Sequence, residues 1–294
     1  MPEVRSPTLR RRELGARLRT LRLDRGMTVE QVADRLLCSP SKVSRMETGQ
    51  RGATLRDVRD LCELYGVTDK VQVGQMMDLV REGKQQGWWQ SHNLDFAMYV
   101  GLEQAATTLS YYQSTTVPGL LQTVEYARAM YEASLPAEFT PERAGELIDV
   151  RLRRQQVLSR QPPLQLRAVL DEAVLRRVVG GPAVMGAQLR HLKDVATTSN
   201  VTLQVIPYGA GAHPAMDNMF TILEFSEVSP VVYVEGLMGW LYIEREHEVA
   251  RYKEVLEYLL SYALNPHDTI ELVSEIGSQY NGAPRFASPG SQLG

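Results

Sequence analysis

Four polar side chains near residue 40 have the types and the spacing needed to read the edges of DNA bases. They are Ser41, Lys42, Ser44 and Arg45. They follow Ser39-Pro40, which predicts the start of a helix, because serine caps a first turn and proline loses no hydrogen bond there. Val43 and Met46 supply the buried side, so the four polar residues are predicted to face away. Such a helix fits the major groove of B-DNA, where serine, lysine and arginine bond to bases.

A second short helix is predicted just before this one. Thr28 and Gln31 have the spacing of a capping box. The apolar residues that follow Thr28 at helical spacing are Val29, Val32, Ala33 and Leu36. Residues 37–39 leave room only for a turn, and Gly49 is placed to end the second helix in a left-handed conformation. The pattern predicts a helix-turn-helix, and an ordinary helical hairpin with a solvated polar side is the alternative.

Three further helices complete the predicted N-terminal bundle. Thr8 is the expected N-cap of a first helix whose leucines recur at helical spacing. Thr54 and Asp57 form a second capping box, in a helix that Gly66 should end. Thr68 is the expected cap of a fifth helix. Five helices are therefore predicted by about residue 82.

These residues carry a resemblance to a known family. Over about residues 8 to 82 the sequence resembles the XRE, lambda-repressor-like helix-turn-helix family. The positions that carry the resemblance are Arg17, 26–28, 31–33, Ser39, 43–47 and Gly49. The resemblance implies base reading by the four polar residues already named. It also implies phosphate contacts, which we assign to Arg17, Thr28, Gln31, Gln50 and Arg51. The sequence departs from the family at Leu37-Cys38, where a glycine is common.

Composition indicates two domains with different charge. The chain has 294 residues, of which 44% are hydrophobic, enough for two cores. Residues 1–66 hold 14 Lys or Arg and 9 Asp or Glu, which gives a charge of +5. Since the formal net charge of the chain is −3, the remaining residues carry −8. A positively charged N-terminal domain is typical of proteins that bind a polyanion such as DNA. The sequence contains neither an apolar run of about 20 residues nor a secretion signal, so we expect a cytoplasmic protein without a membrane partner.

The predicted fold class is multi-domain, with an α domain followed by a mixed α/β (α+β) domain. The helix-turn-helix domain covers 1–82, a linker 83–87, the second domain 88–278 and a disordered tail 279–294. Six segments of the second domain have strand character: 108–116, 164–170, 201–206, 219–225, 231–235 and 240–243. A helix between the second and third of these predicts that they pair in parallel.

The second domain also resembles a known family. The matching segments are 117–123, 125–129, 151–158, 170–176, 180–182, 188–189 and 205–207, with 211–213. They resemble the C-terminal domain of unknown function that follows an XRE head in many actinobacterial regulators, over about residues 87 to 275. The resemblance implies a transcriptional regulator, often encoded beside a small partner protein.

Several residues outside the helix-turn-helix are candidates for binding a ligand or partner. Trp88 and Trp89 could form a ligand wall, although adjacent tryptophans more often plug a core edge. Arg151 and Arg154 lie on one helix face and could hold an anion, although a solvated face or an internal salt bridge is the commoner role for such a pair.

Acid–base or metal chemistry would fall to Glu172, which follows a strand, and to His213 with Asp217 in a glycine-bearing loop. The five histidines lack the spacing of a known metal motif. We therefore expect no catalytic residues, no metal and no cofactor.

Together these features predict a sequence-specific transcriptional regulator. It would bind double-stranded operator DNA as a homodimer and sense a small-molecule effector or a small partner protein encoded nearby. The alternative is an antitoxin-like module that sequesters the partner and uses DNA binding for autoregulation. An enzyme with a DNA-binding address is the third hypothesis.

Overall fold

The computed structural model describes residues 6–85, 87–92, 94–133, 140–226, 228–236 and 239–280. The chain divides into two compact units, Met1–Ala105 and Ala106–Gly294. The first unit therefore extends past the predicted linker at 83–87. The predicted disordered tail lies outside the described residues from residue 281 onward.

In the described part of the first unit, the regular structure is helical. The helices are α1 (Pro7–Asp24), α2 (Val29–Arg35), α3 (Pro40–Glu47), α4 (Leu55–Leu64), α5 (Lys70–Gly83) and α6 (Ala97–Ala105), with a 3-10 turn at Trp88–His92. The five-helix bundle predicted from the sequence is confirmed in α1 to α5. Its core centres on fully buried residues from several helices, including Leu18, Val32, Val43, Val58 and Met76.

Local capping explains where most of these helices begin. Thr28 with Gln31 and Thr54 with Asp57 form the predicted capping boxes, and Ser39 accepts a hydrogen bond from the backbone of Lys42. Two predicted caps are wrong. Helix α1 begins at Pro7 and Thr8 lies buried inside it, because proline suits the first helical position. Helix α5 is capped by Asp69 rather than Thr68, since a carboxylate there also faces the positive end of the helix dipole.

Close helix crossings in the first unit depend on glycine. A Cβ at Gly15 would lie 2.5 Å from the backbone oxygens of Met46 and Glu47, so α1 touches the last turn of α3. Helix α6 also lies close to α1. The hydroxyl of Ser6, just before α1, donates a hydrogen bond of 2.8 Å to the carbonyl of Gly101 in α6. This bond and the direct approach of Thr8 to Gly101 pack α6 against α1. Residues 97–105 therefore belong to the first unit rather than to the predicted second domain.

The second unit contains a six-stranded mixed sheet. Its strands are β1 (Thr108–Gln113), β2 (Gln165–Asp171), β3 (Val201–Ile206), β4 (Phe220–Glu224), β5 (Val231–Gly236) and β6 (Gly239–Ile243), in the order β3-β2-β1-β4-β5-β6. The parallel pairing of β2 with β3 is confirmed. Strand β1 pairs in parallel with β2 and antiparallel with β4. All six predicted strands are present, with bounds shifted by up to three residues.

The described residues of the second unit also form six helices. They are α7 (Val124–Glu132), α8 (Pro141–Gln155), α9 (Glu172–Arg176), α10 (Pro182–Val195), α11 (Glu246–Tyr262) and α12 (Pro266–Ser278). Helix α11 covers one sheet face through buried residues such as Val249, Leu256 and Leu259. No helix in the described ranges combines the length and the apolar character needed to cross a membrane.

The two edges of the sheet differ. At the β3 edge, the amide of Leu264 donates to the carbonyl of Val205 at 2.8 Å, and the hydroxyl of Thr269 accepts from the amide of Val205 at 3.2 Å. The connection between α11 and α12 therefore satisfies backbone groups of this edge strand. At the β6 edge, Trp240 and Leu241 remain 41% and 58% exposed.

Candidate nucleic-acid interface

Helix α3 presents a polar face outward from the first unit. Val43 and Met46 are 1% and 2% exposed, while Ser41, Ser44 and Arg45 are exposed. The outward orientation predicted for these three residues is confirmed. This helix face therefore offers two hydroxyl groups and one guanidinium, which are groups that bond to base edges in a major groove.

Lys42 differs from that expectation because its ammonium is paired within the protein. Its Nζ lies 2.6 Å from Oδ1 of Asp57, and the two side chains are 27% and 14% exposed. The other carboxylate oxygen of Asp57 accepts hydrogen bonds from the amide and the hydroxyl of Thr54, both at 2.8 Å. Burial raises the pKa of Asp57, but the bonds from Lys42 and Thr54 outweigh it, and the net pKa lies below its ordinary value.

A buried ion pair clamps the last turn of α3 to α1. The guanidinium of Arg22 donates from Nε to one oxygen of Glu47 at 2.7 Å and from Nη2 to the other at 2.9 Å. It also donates from Nη1 to the carbonyl of Met27 at 2.8 Å. The hydrogen bonds to Glu47 raise the pKa of Arg22. Because both side chains are at most 9% exposed, the pair fixes how α3 is presented.

Sequence reasoning missed this clamp, although a signal was present. Glu47 lies four residues after Val43 and one after Met46, on the apolar stripe of its helix. Arg22 lies four residues after Leu18 on the stripe of α1. Opposite charges on two buried stripes indicate a paired contact, since an isolated buried charge is very costly.

The residues predicted to contact phosphates fall into two groups. Thr28 and Gln31 are exposed, but their side chains are engaged in the capping box of α2. Arg17 is paired with Glu13 at 2.7 Å, with 43% of its side chain exposed. Gln50 and Arg51 are exposed directly after Gly49, whose φ of +69° ends α3 as predicted. Gln50 and Arg51 are therefore the best placed to reach a DNA backbone.

The turn between α2 and α3 is strained at Leu37. This residue has φ of +50°, a left-handed conformation, and its side chain is 94% exposed. That conformation costs a residue with a Cβ about 1–2 kcal/mol, whereas glycine adopts it freely. A glycine, which is common in this turn in the family that the sequence resembles, would adopt that conformation without the cost that Leu37 bears.

We expect Leu37→Gly to raise the free energy of unfolding of the first unit by about 0.5–1 kcal/mol. The strain relieved exceeds the extra entropy that glycine loses on folding, and the exposed leucine buries little surface. Denaturant unfolding of the full chain, with amide exchange of the α2 and α3 peptides, measures the change. Leu37→Ala is the control, because it trims the side chain but keeps the Cβ. An equal gain in both variants would contradict the assignment to backbone strain.

The two tryptophans belong to the first unit and have a packing role. Trp89 is 5% exposed, and its ring lies edge-on to Trp88 with centroids 5.9 Å apart. A Cβ at Gly101 would lie 3.0 Å from the Trp89 ring. Trp89 therefore fills the space beside α6, in agreement with the core-edge alternative.

Arg151 organises the segment before α7. Its Nη1 donates to Gln122 at 2.7 Å and its Nη2 donates to the hydroxyl of Tyr131 at 2.9 Å. Arg154 is 7% exposed, and both arginines approach Gly119. The Arg151 side chain is therefore engaged with neutral groups of the second unit, whereas the sequence left a solvated face or a salt bridge to an acid as the alternatives to an anion site.

Glu172 and His213 lie near the carboxyl ends of β1 and β2, but each has its own partners. Nε2 of His213 is 3.2 Å from the hydroxyl of Tyr112 and 3.8 Å from Oδ2 of Asp171, and its Nδ1 accepts from the amide of Ala215 at 3.3 Å. Burial raises the pKa of Tyr112. The expected companion of His213, Asp217, is exposed, and the structure places Asp171 beside the imidazole instead.

Glu172 is held in a separate set of contacts. One carboxylate oxygen accepts from the amide of Tyr208 at 2.8 Å and the other from Nε of Arg176 at 2.5 Å. Since both oxygens are engaged, Glu172 ties the start of α9 to the segment after β3.

Comparison with known families finds two domain models along the chain, and the second begins inside the first compact unit. A helix-turn-helix domain model matches residues 13–73, from within α1 into α5, and the exposed face of α3 lies inside that match. The chain is therefore a helix-turn-helix DNA-binding protein. A second model, a domain of unknown function (DUF5753), matches residues 96–275, which is 180 of the 294 residues. The chain belongs to the DUF5753 family. No curated protein and no solved structure matches it significantly.

Proposed function

We propose that this protein is a sequence-specific transcriptional regulator in which α3 reads an operator half-site. The observation that carries the proposal is the exposed face formed by Ser41, Ser44 and Arg45 on a capped helix, whose far end is held by the Arg22–Glu47 pair. A reading helix must be held rigidly, because base contacts are lost when the side chains shift by about an ångström. We expect the protein to act in the cytoplasm.

Selection of binding sites from a random duplex library with the purified full chain tests this function. We expect an enriched site with two-fold symmetry and half-sites about 34 Å apart, since one helix contacts only a few base pairs and two heads are needed. Recovery of no preferred sequence, or no binding to duplex DNA at low ionic strength, would reject the proposal.

Two heads require a dimer, and the β6 edge supports one. Gly239–Ile243 contains neither a charged residue nor proline, the devices by which proteins normally protect a free edge. A two-fold axis at Leu241 would set that residue against its own copy and Trp240 against Tyr242 of the second chain. A five-residue strand buries less than the roughly 800 Å² per partner of a stable interface, so the dimer should be weak without DNA.

The second unit is also proposed to sense an effector. Tyr112, Asp171 and His213 meet near the carboxyl ends of parallel strands, which is where open α/β sheets usually bind ligands. The alternative is an antitoxin-like module, in which a small neighbour-encoded protein occupies the second unit. Co-purification of such a protein in stoichiometric amount favours the alternative, and binding of a small molecule that changes operator affinity favours the effector.

We propose no catalytic role. Both oxygens of Glu172 are held in structural contacts, and His213 faces Tyr112 and Asp171 rather than the exposed Asp217. Turnover of any metabolite that is lost in both Glu172→Gln and His213→Ala, with the fold intact, would overturn this.

Arg51→Ala is expected to weaken binding to operator and to unrelated DNA by the same factor. A phosphate contact carries no sequence information, and losing one lowers the slope of log affinity against log salt by about 0.9. Fluorescence anisotropy titrations over a range of salt concentrations measure both quantities. Gln50→Ala is the matched control, because the neighbouring side chain is uncharged and its loss should leave the slope unchanged. A loss confined to the operator would make Arg51 a base-reading residue.

A further inference from the structure

Asp57 performs two tasks with its two carboxylate oxygens. Oδ2 completes the capping box of α4 through the amide and the hydroxyl of Thr54, and Oδ1 holds the ammonium of Lys42 at 2.6 Å. Lys42 belongs to the first turn of the reading helix, so a residue of α4 controls a cation at the edge of the proposed DNA-reading face.

The pair changes what Lys42 can do near DNA. While its ammonium remains on Asp57, the two charges cancel, and Lys42 adds little to the attraction between the protein and phosphates. The pair is partly shielded from solvent, at 27% and 14% side-chain exposure, so salt screens it less than it screens an exposed pair. By contrast, Arg45 and Arg51 are exposed and keep their full charge toward a duplex.

We propose that Asp57 holds the Lys42 ammonium away from DNA phosphates and thereby sets how strongly the protein prefers its operator to other DNA. The inference rests on the proposed reading role of α3. Asp57 and Lys42 are positioning residues in this scheme, and base reading is left to Ser41, Ser44 and Arg45.

Discrimination follows from the different origins of the two kinds of affinity. Binding to unrelated DNA comes almost entirely from the number of phosphates that are neutralised. In such a complex the protein is free to shift until any exposed cation meets a phosphate. In the operator complex, base contacts hold α3 in one register, and Lys42 stays directed at Asp57. Withholding one cation therefore weakens the non-specific complex more than the operator complex.

Asp57→Asn tests the inference with little damage to the fold. The amide oxygen of asparagine still accepts from Thr54, as the amide oxygen of Gln31 accepts from Thr28 in α2. A neutral amide cannot retain the ammonium of Lys42. For non-operator DNA we expect the salt slope to steepen by about 0.9 and the affinity at 0.1 M salt to rise about fivefold to tenfold. Operator affinity should rise less than twofold.

Lys42→Met supplies an independent test that leaves the cap of α4 intact. The inference expects the salt slope to stay at its wild-type value, because the paired ammonium neutralises no phosphate. The affinity for operator and non-operator DNA should fall by the same small factor, because Asp57 is left without its partner. If Lys42 contacts bases, as its position in the sequence alone predicts, the variant loses operator preference, and if it contacts a phosphate, the variant loses slope. The double variant Asp57→Asn/Lys42→Met should return to the wild-type slope.

Asp78→Asn is the matched control for net charge. It removes one carboxylate from an exposed pair with Arg81 on α5, and it should leave both DNA affinities unchanged. Thermal unfolding verifies the fold of each variant.

The two levels of hypothesis fail in different ways. If the wild-type protein ignores duplex DNA at low salt, the proposed function is wrong. If the wild type prefers its operator while Asp57→Asn keeps the wild-type slope and preference, the role assigned to Asp57 alone is overturned.

Discussion

Glu47→Ala is expected to lower the free energy of unfolding of the first unit by about 3–5 kcal/mol. The substitution leaves the guanidinium of Arg22 buried and uncompensated, which costs far more than the loss of a surface ion pair. It also frees the last turn of α3 from α1, so operator binding should weaken in the same variant. Amide hydrogen exchange of the full chain, resolved by peptide, measures the loss in α1 to α5. Peptides of the sheet provide the internal reference.

Two further variants separate the charge from the packing at this position. Glu47→Gln keeps the shape and one acceptor for Arg22 but removes the opposing charge, so its loss should be smaller than that of alanine. The double variant Arg22→Met/Glu47→Leu should recover much of the stability, since an apolar pair of similar volume often replaces a buried ion pair at little cost. A loss below about 1 kcal/mol in the single alanine variant would mean that the pair behaves like a surface contact.

Arg45→Ala should lower the preference for the operator over unrelated DNA by about 1–3 kcal/mol, or roughly 5-fold to 150-fold, in addition to the loss of one cation that both kinds of DNA share. A guanidinium that bonds to a base through two donors supplies that amount of discrimination. Competition titrations with operators changed at one base pair at a time measure the effect. In the variant, one position of each half-site should lose its base preference, and the others should keep theirs.

Arg45→Lys is the matched control because it retains the positive charge. Lysine lacks the planar pair of donors, so the variant should lose base preference while keeping the affinity for unrelated DNA. Arg56→Ala, which removes an exposed arginine paired with Asp60 on α4, should not change base preference. An equal loss of affinity for every sequence in Arg45→Ala would show that Arg45 contacts the backbone instead.

Much of the local structure could be predicted from the sequence alone. The capping boxes at Thr28 and Thr54, the cap at Ser39 and the left-handed Gly49 were confirmed because each depends on residues within about four positions of one another. The parallel pairing of β2 and β3 was predicted for a similar reason, since one helical crossover between two strands permits few arrangements.

The errors arose where neighbouring residues offered equivalent local signals. Thr68 and Asp69 are both good caps, and nothing in the local pattern prefers one to the other.

The domain boundary predicted at the glycines 83 and 87 stays a prediction. The second family model begins at residue 96, while the first compact unit extends to Ala105. That extension depends on contacts between α6 and α1, almost a hundred residues apart in the chain.

The sequence by itself predicted that an amphipathic helix with an outward polar face follows the cap at Ser39 and that a mixed α/β domain lies after it. Only the tertiary structure decided which ionisable side chains pair with one another and which remain exposed. Arg22 meets Glu47 across 25 residues, Lys42 meets Asp57 across 15, and His213 meets Tyr112 across 101. Helical periodicity relates residues three or four positions apart, so it shows which face a charge occupies but not which charge the fold will bring against it.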